Sequence, residues 1–153
     1  MLADLTDLIL AIAHHLLIFS VLAVLVMELM TARPDMSTAQ LLRLGRLDAA
    51  YGIVATLILV VGFGRVFLGA KPWDFYIYNW VFWAKIAAFI AVGVLSVPPT
   101  LRIGRWRAAA TKDPSYRPTS AEIASVRQFM HYQASVFILI PIFAAMMARG
   151  IGL

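Results

Sequence analysis

Four long apolar runs, separated by short charged stretches, set the pattern of this chain. The first covers residues 7–30, and positions 8–27 hold no Asp, Glu, Lys or Arg. At about 1.5 Å per residue, such a run crosses the roughly 30 Å of bilayer hydrocarbon as one helix. The others cover residues 48–68, 78–101 and 129–148. Pro98 and Pro99 are expected to stop the third span, and Pro141 to kink the fourth. Ser37 heads a stretch in which Leu41, Leu42, Leu44 and Leu47 are interleaved with Arg43 and Arg46. That amphipathic segment is predicted to lie at the membrane surface before turning into the second span. Thr119 and Glu122 have capping-box spacing, so a helix starts near Ser120 and runs into the fourth span. Trp73, Tyr76, Tyr78 and Trp80 crowd the connection between spans two and three, where they are expected to anchor the interface. The predicted fold is all-α: an integral membrane four-helix bundle, one domain over residues 1–153.

Composition sharpens this reading. The chain is 62% hydrophobic and 14% charged, with a mean hydropathy of +0.85. A soluble domain of this size has too much surface for so few polar residues, and a disordered chain has far fewer apolar ones. The formal net charge of +5 is not spread evenly. Arg33, Arg43 and Arg46 lie between spans one and two; Arg102, Arg105, Arg107, Lys112, Arg117 and Arg127 lie between spans three and four. Both connections fall on one side of the membrane. The positive-inside rule makes that side cytoplasmic and puts both chain ends outside, in a bacterial inner membrane. The partner implied is the lipid bilayer rather than nucleic acid. Asp4 and Asp7 stand where a signal peptide carries basic residues, so the first span is expected to be a retained helix. Cysteine is absent, which excludes thiol redox chemistry and thiolate-ligated metals.

Ionisable side chains inside membrane spans are costly and tend to face the bundle interior. Here they form two layers: His14, His15, Arg65 and Lys85 in the outer half, and Glu28, Arg46, Asp48 and His131 toward the cytoplasm. At about 100° per residue, Asp7, His14, Val21 and Glu28 share one stripe of the first span, the expected inward face. Tyr51 and Arg65 share a face of the second span, and His131 and Ser135 one of the fourth. His14 is therefore the first candidate for an axial metal ligand, with His15 the alternative. Arg65 and Lys85 could pair with the propionates of haem b or with another anionic cofactor. Lys85 is also the candidate catalytic residue, as a group able to exchange protons within the membrane. The plainer reading makes the histidines helix-to-helix hydrogen-bonding groups and sends both cations snorkelling outward. In the second layer Arg46 could pair with Glu28. That network is read as a structural clamp, or alternatively as a proton or substrate route. His131 lies on the opposite leaflet from His14, so the two cannot share one iron. Gly62 and Gly64 suit close helix packing better than nucleotide binding. The methionines are weak candidates for copper.

One likeness spans nearly the whole chain. The pieces are His14-His15, Glu28, Arg46-Leu47-Asp48-Ala49-Ala50-Tyr51-Gly52, Gly62-Phe63-Gly64-Arg65 and Trp83-Ala84-Lys85. In this order they resemble a bacterial family of four-span membrane proteins of unknown function, number 2214. The resemblance implies fold and location, and brings no activity with it. A histidine early in span one and a lysine early in span three also look like the HemJ-type protoporphyrinogen oxidases, which implies haem for His14 or His15 and a required Lys85. A related pattern in CopD-like membrane domains implies a metal-related role instead. The functional expectation is a haem-binding redox protein with an electron-transfer partner. Its rival is a non-enzymatic structural, assembly or small transport component, which a homo-oligomer would make more plausible.

Overall fold

The computed structural model describes residues 2–152, and it is all helical. The helices are α1 (Leu2–Thr31), α2 (Thr38–Leu68), α3 (Trp73–Ile77), α4 (Trp80–Lys112), α5 (Ser120–Phe137) and α6 (Leu139–Ala148). Four stretches are long and apolar enough to cross a membrane: Asp4–Thr31, Thr38–Leu68, Trp80–Lys112 and Ser120–Ala148. Large apolar side chains such as Leu16, Phe19, Val60, Ile90 and Val94 point away from the bundle, as lipid-facing positions should. The chain is thus a multi-pass membrane protein. Helix α1 lies against α2, and α4 against α5 and α6; α2 meets α4 and α1 meets α5, which joins the two halves. One end of the bundle carries α3, and the other carries the two basic connections.

The helices extend past the predicted spans at the basic end. Capping explains where they start. The Ser37 hydroxyl accepts the Gln40 N–H while the Gln40 side chain accepts the Ser37 N–H, and Thr119 and Glu122 repeat the arrangement. The segment expected at the membrane surface is the first part of α2 itself. Leu41 and Leu44 are buried in the bundle instead of facing lipid, while Arg43 and Arg46 stay exposed. They pack with Ile103, Trp106, Ile123 and Val126 in the most completely buried part of the core. Arg127 Nη1 donates to the Leu29 and Ala32 carbonyls at 2.6 and 2.8 Å, closing the C-terminus of α1.

The prolines behave in two ways. Pro98 and Pro99 do not stop the third span; α4 continues through both to Lys112. A proline at position 99 leaves the Leu95 carbonyl without its usual donor four residues on. The buried Gln133 side chain of α5 donates Nε2–H to that carbonyl at 3.3 Å. A neighbouring helix thereby repairs the lost bond, which lets the proline stay inside the span. Pro141 lies three residues past Ile138, where the fourth span breaks between α5 and α6.

At the opposite end Asn79 is fully buried and ties α4 to the chain's last residues. Its Oδ1 accepts the Val81 N–H at 2.9 Å as an N-cap, and its Nδ2 donates to the Ile151 carbonyl at 3.3 Å.

The repair can be measured. Gln133→Ala should destabilise the protein by about 1 kcal/mol in detergent. Combined with Pro99→Ala it should show a coupling of about 0.6 kcal/mol, because residue 99 then supplies its own donor. Strictly additive thermal stabilities in that double-mutant cycle would contradict the assignment.

Candidate functional site

At the α3 end a cavity of about 110 Å³ opens between the helices. Its polar lining is His14 from α1, Arg65 from α2, Tyr76 from α3 and Lys85 from α4. The walls are apolar, with Ile58, Phe89 and Ile140 among them. Each polar group arrives for a local reason. His14 lies on the inward stripe of α1, one heptad before the buried Val21 and two before Glu28. Its ring packs on the bare backbone of Gly62: a Cβ there would stand 3.3 Å from His14 Cε1. Gly64 lets Leu10 approach α2 in the same way. Arg65 occupies the last turn of α2, where a cation complements the helix dipole. Lys85 Nζ sits 5.3 Å from the centroid of the Phe82 ring.

The charge balance of this cavity is one-sided. Arg65 and Lys85 lie in each other's field, and both act on His14. Among the described residues no carboxylate lines the cavity itself, and the carboxylate that acts on its lining is Asp7, on Tyr76. His14 Nδ1 and Arg65 Nε are buried and have no hydrogen-bond partner. A buried polar atom left unpaired costs about 1–3 kcal/mol, and like charges in a poorly polarisable medium add to that. The geometry therefore suits a ligand that is negatively charged and accepts hydrogen bonds.

His15 is outside this group. It is exposed, and its Nδ1–H donates to the Ala11 carbonyl at 2.6 Å. Its ring meets that of His14 edge to face, with centroids 6.5 Å apart. Among the described residues, no group of three or more His, Asp or Glu could hold a metal ion. For haem, the donors are suitable: an unpaired imidazole and two cations for the propionates. The cavity of about 110 Å³ is small beside the roughly 300–1,000 Å³ of sites for drug-sized molecules.

The second layer divides. Glu28 is 3% exposed, and its Oε1 is buried without a partner. Its charged neighbour is Asp48, not Arg46. Arg46 is exposed, and His131 lies in a shallow exposed groove with Arg127 and Tyr132. The expected four-residue network is not assembled, because Arg46 and His131 sit on outward faces of their helices. Asp48 accepts the Thr100 hydroxyl at 2.7 Å and opens on a second cavity of about 380 Å³, with Tyr51 and Ser96. Phe89 and Phe137 line both cavities and stand between them.

Sequence reasoning assigned Tyr76 to the aromatic belt. Trp73, Tyr78 and Trp80 are indeed exposed, whereas Tyr76 is buried at 8% exposure against Phe75 and Phe82. Nothing in a five-residue helix distinguishes one aromatic from the next by periodicity. Burial pushes the Tyr76 phenol above the ordinary tyrosine range; Arg65 opposes this and Asp7 adds to it. With ring-labelled tyrosine, the resonance missing in Tyr76→Phe should titrate above pH 10, the value of a free phenol being about 10. Titration at or below that value would place Tyr76 outside the cavity.

Neither the curated proteins nor the solved structures contain a match to this chain. The likenesses to HemJ-type oxidases and to CopD-like domains gain no support from these comparisons. One family match covers residues 6–152, nearly the whole chain. On that match the chain belongs to the family described as "Predicted membrane protein (DUF2214)".

Proposed function

We propose that this is a bacterial inner-membrane protein, with both ends outside, that binds an anionic group in the His14–Arg65–Lys85 cavity. The observation that carries the reading is the convergence of three nitrogen-bearing side chains from three helices on one cavity that no described carboxylate lines. The unpaired Nδ1 of His14 and Nε of Arg65 support it further. The basic residues gathered at the end of the bundle opposite α3 favour the stated orientation. The cavity volume of about 110 Å³ suits a carboxylate or phosphate headgroup, its remainder lying among the apolar walls or in lipid. In this reading Arg65 and Lys85 are the binding cations, His14 adds a hydrogen bond, and Tyr76 closes the α3 side. Haem b is a second reading, favoured by the free imidazole nitrogen of His14.

The test is thermal unfolding of the full chain in an uncharged detergent, with oleate, inorganic phosphate or haemin added. Saturating oleate or phosphate should raise the stability by about 2.7 kcal/mol when present at a hundredfold its dissociation constant. Arg65→Gln and Lys85→Met should each remove most of that gain, while Arg149→Ala, an exposed cation, should retain it. Response to phosphate alone identifies a free anion as sufficient; response to oleate alone points to an amphiphile. A haemin Soret band lost in His14→Ala and kept in His15→Ala would favour the haem reading. No response to any of the three probes would favour a purely structural role.

A further inference from the structure

The carboxyl of Glu28 lies in the membrane-spanning part of α1, on the inward stripe that also carries His14 and Val21. It is 3% exposed and Oε1 meets no donor. The elements around it supply no counter-charge. From α2 it faces Asp48 and the buried Tyr51, while Arg46 on the same helix is exposed. From α5 the nearest cation, Arg127, is directed at the Leu29 and Ala32 carbonyls, and His131 is exposed. From α4, Thr100 bonds Asp48, and Arg102, whose Nη1 is buried without a hydrogen-bond partner, acts on Glu122 and not on Glu28. Two neighbouring carboxyls with no cation cannot both be ionised in a poorly polarisable interior. An isolated buried carboxylate costs several kcal/mol, whereas a protonated one needs only an acceptor for its O–H.

We infer that Glu28 and Asp48 form a proton-binding site, in which Glu28 carries the proton and Asp48 passes it to the cavity beside Tyr51 and Thr100. Asp48 suits the second role. It is only partly buried, it lines the cavity of about 380 Å³, and Thr100 holds its carboxylate in place. The site is separated from the cationic cavity by Phe89 and Phe137, and it does not depend on what that cavity binds. Its ligand is a proton, exchanged between two carboxyl oxygens with no change of oxidation state.

Dicyclohexylcarbodiimide tests the assignment, because it enters apolar surroundings and reacts with carboxyl groups that hold a proton. The full chain in detergent micelles should acquire one N-acylurea at neutral pH, on the peptide containing Glu28. The rate should fall about tenfold per pH unit once that carboxyl ionises. In Asp48→Asn the labelling should persist, but over a range ending at lower pH than in the wild type, since a repelling charge is gone. A Glu28 peptide that stays unlabelled at neutral pH, while the same peptide reacts after unfolding in acid, would overturn the proposal. Unfolding midpoints give a second readout that does not rely on reagent access. Glu28→Gln should match or exceed the wild type at neutral pH, and should lose the part of the wild type's decline that begins near the free carboxyl value of about 4.3 and ends where the folded carboxyl ionises. A Glu28→Gln protein less stable than the wild type at every pH would also overturn it, because that is the behaviour of a carboxylate clamp.

Discussion

Hydrocarbon offers no hydrogen bonds, so each polar group between the two ends of this bundle must find its partner within the helices. Most do so in simple ways. Ser20, Thr31, Thr56 and Ser135 return their hydroxyls to carbonyls four residues earlier on their own helices. Thr100 reaches across to Asp48, and Gln133 to the Leu95 carbonyl that Pro99 leaves free. These bonds are what allow prolines, hydroxyls and an aspartate to remain in the spans.

The same constraint gives meaning to the groups that escape it. Among the described residues, His14 Nδ1, Arg65 Nε, Glu28 Oε1 and Arg102 Nη1 are buried without partners. Two face the cavity at the α3 end, Glu28 sits beside Asp48 toward the basic end, and Arg102 acts on Glu122 at that end. The cavity group is basic and the Glu28–Asp48 pair acidic, and placing them in contact would have neutralised both. The fold instead keeps them apart with Phe89 and Phe137 between the two cavities. A structure built only to lock four helices together would gain from pairing these charges. Their separation fits two sites of opposite ligand chemistry, an anion at one and a proton at the other.

Much of this was legible from the sequence, and the failures have physical causes. Apolar runs located all four spans, because length against bilayer thickness is a one-dimensional property. The heptad spacing of His14, Val21 and Glu28 identified the inward face of α1, and the Ser37 and Thr119 caps are local signals. The matching depth of His14, Arg65 and Lys85 could also be counted along the chain. What could not be counted was contact between helices. Pro98 and Pro99 read as a stop because their rescue comes from Gln133, which is distant in sequence. Arg46 read as a partner for Glu28 because charge alone does not reveal that α2 turns Arg46 outward. Tyr76 read as a belt residue because its neighbours are. Phe89 and Phe137 carry no signal at all until the helices are assembled.

The most direct measurement is native mass spectrometry of the full chain released from its own membrane, compared between wild type and the combined Arg65→Gln, Lys85→Met variant. The account predicts a bound anionic molecule on the wild-type protein that is absent from the variant, with both proteins folded. The same adducts on both proteins, or none on either, would contradict an anion site between His14, Arg65 and Lys85.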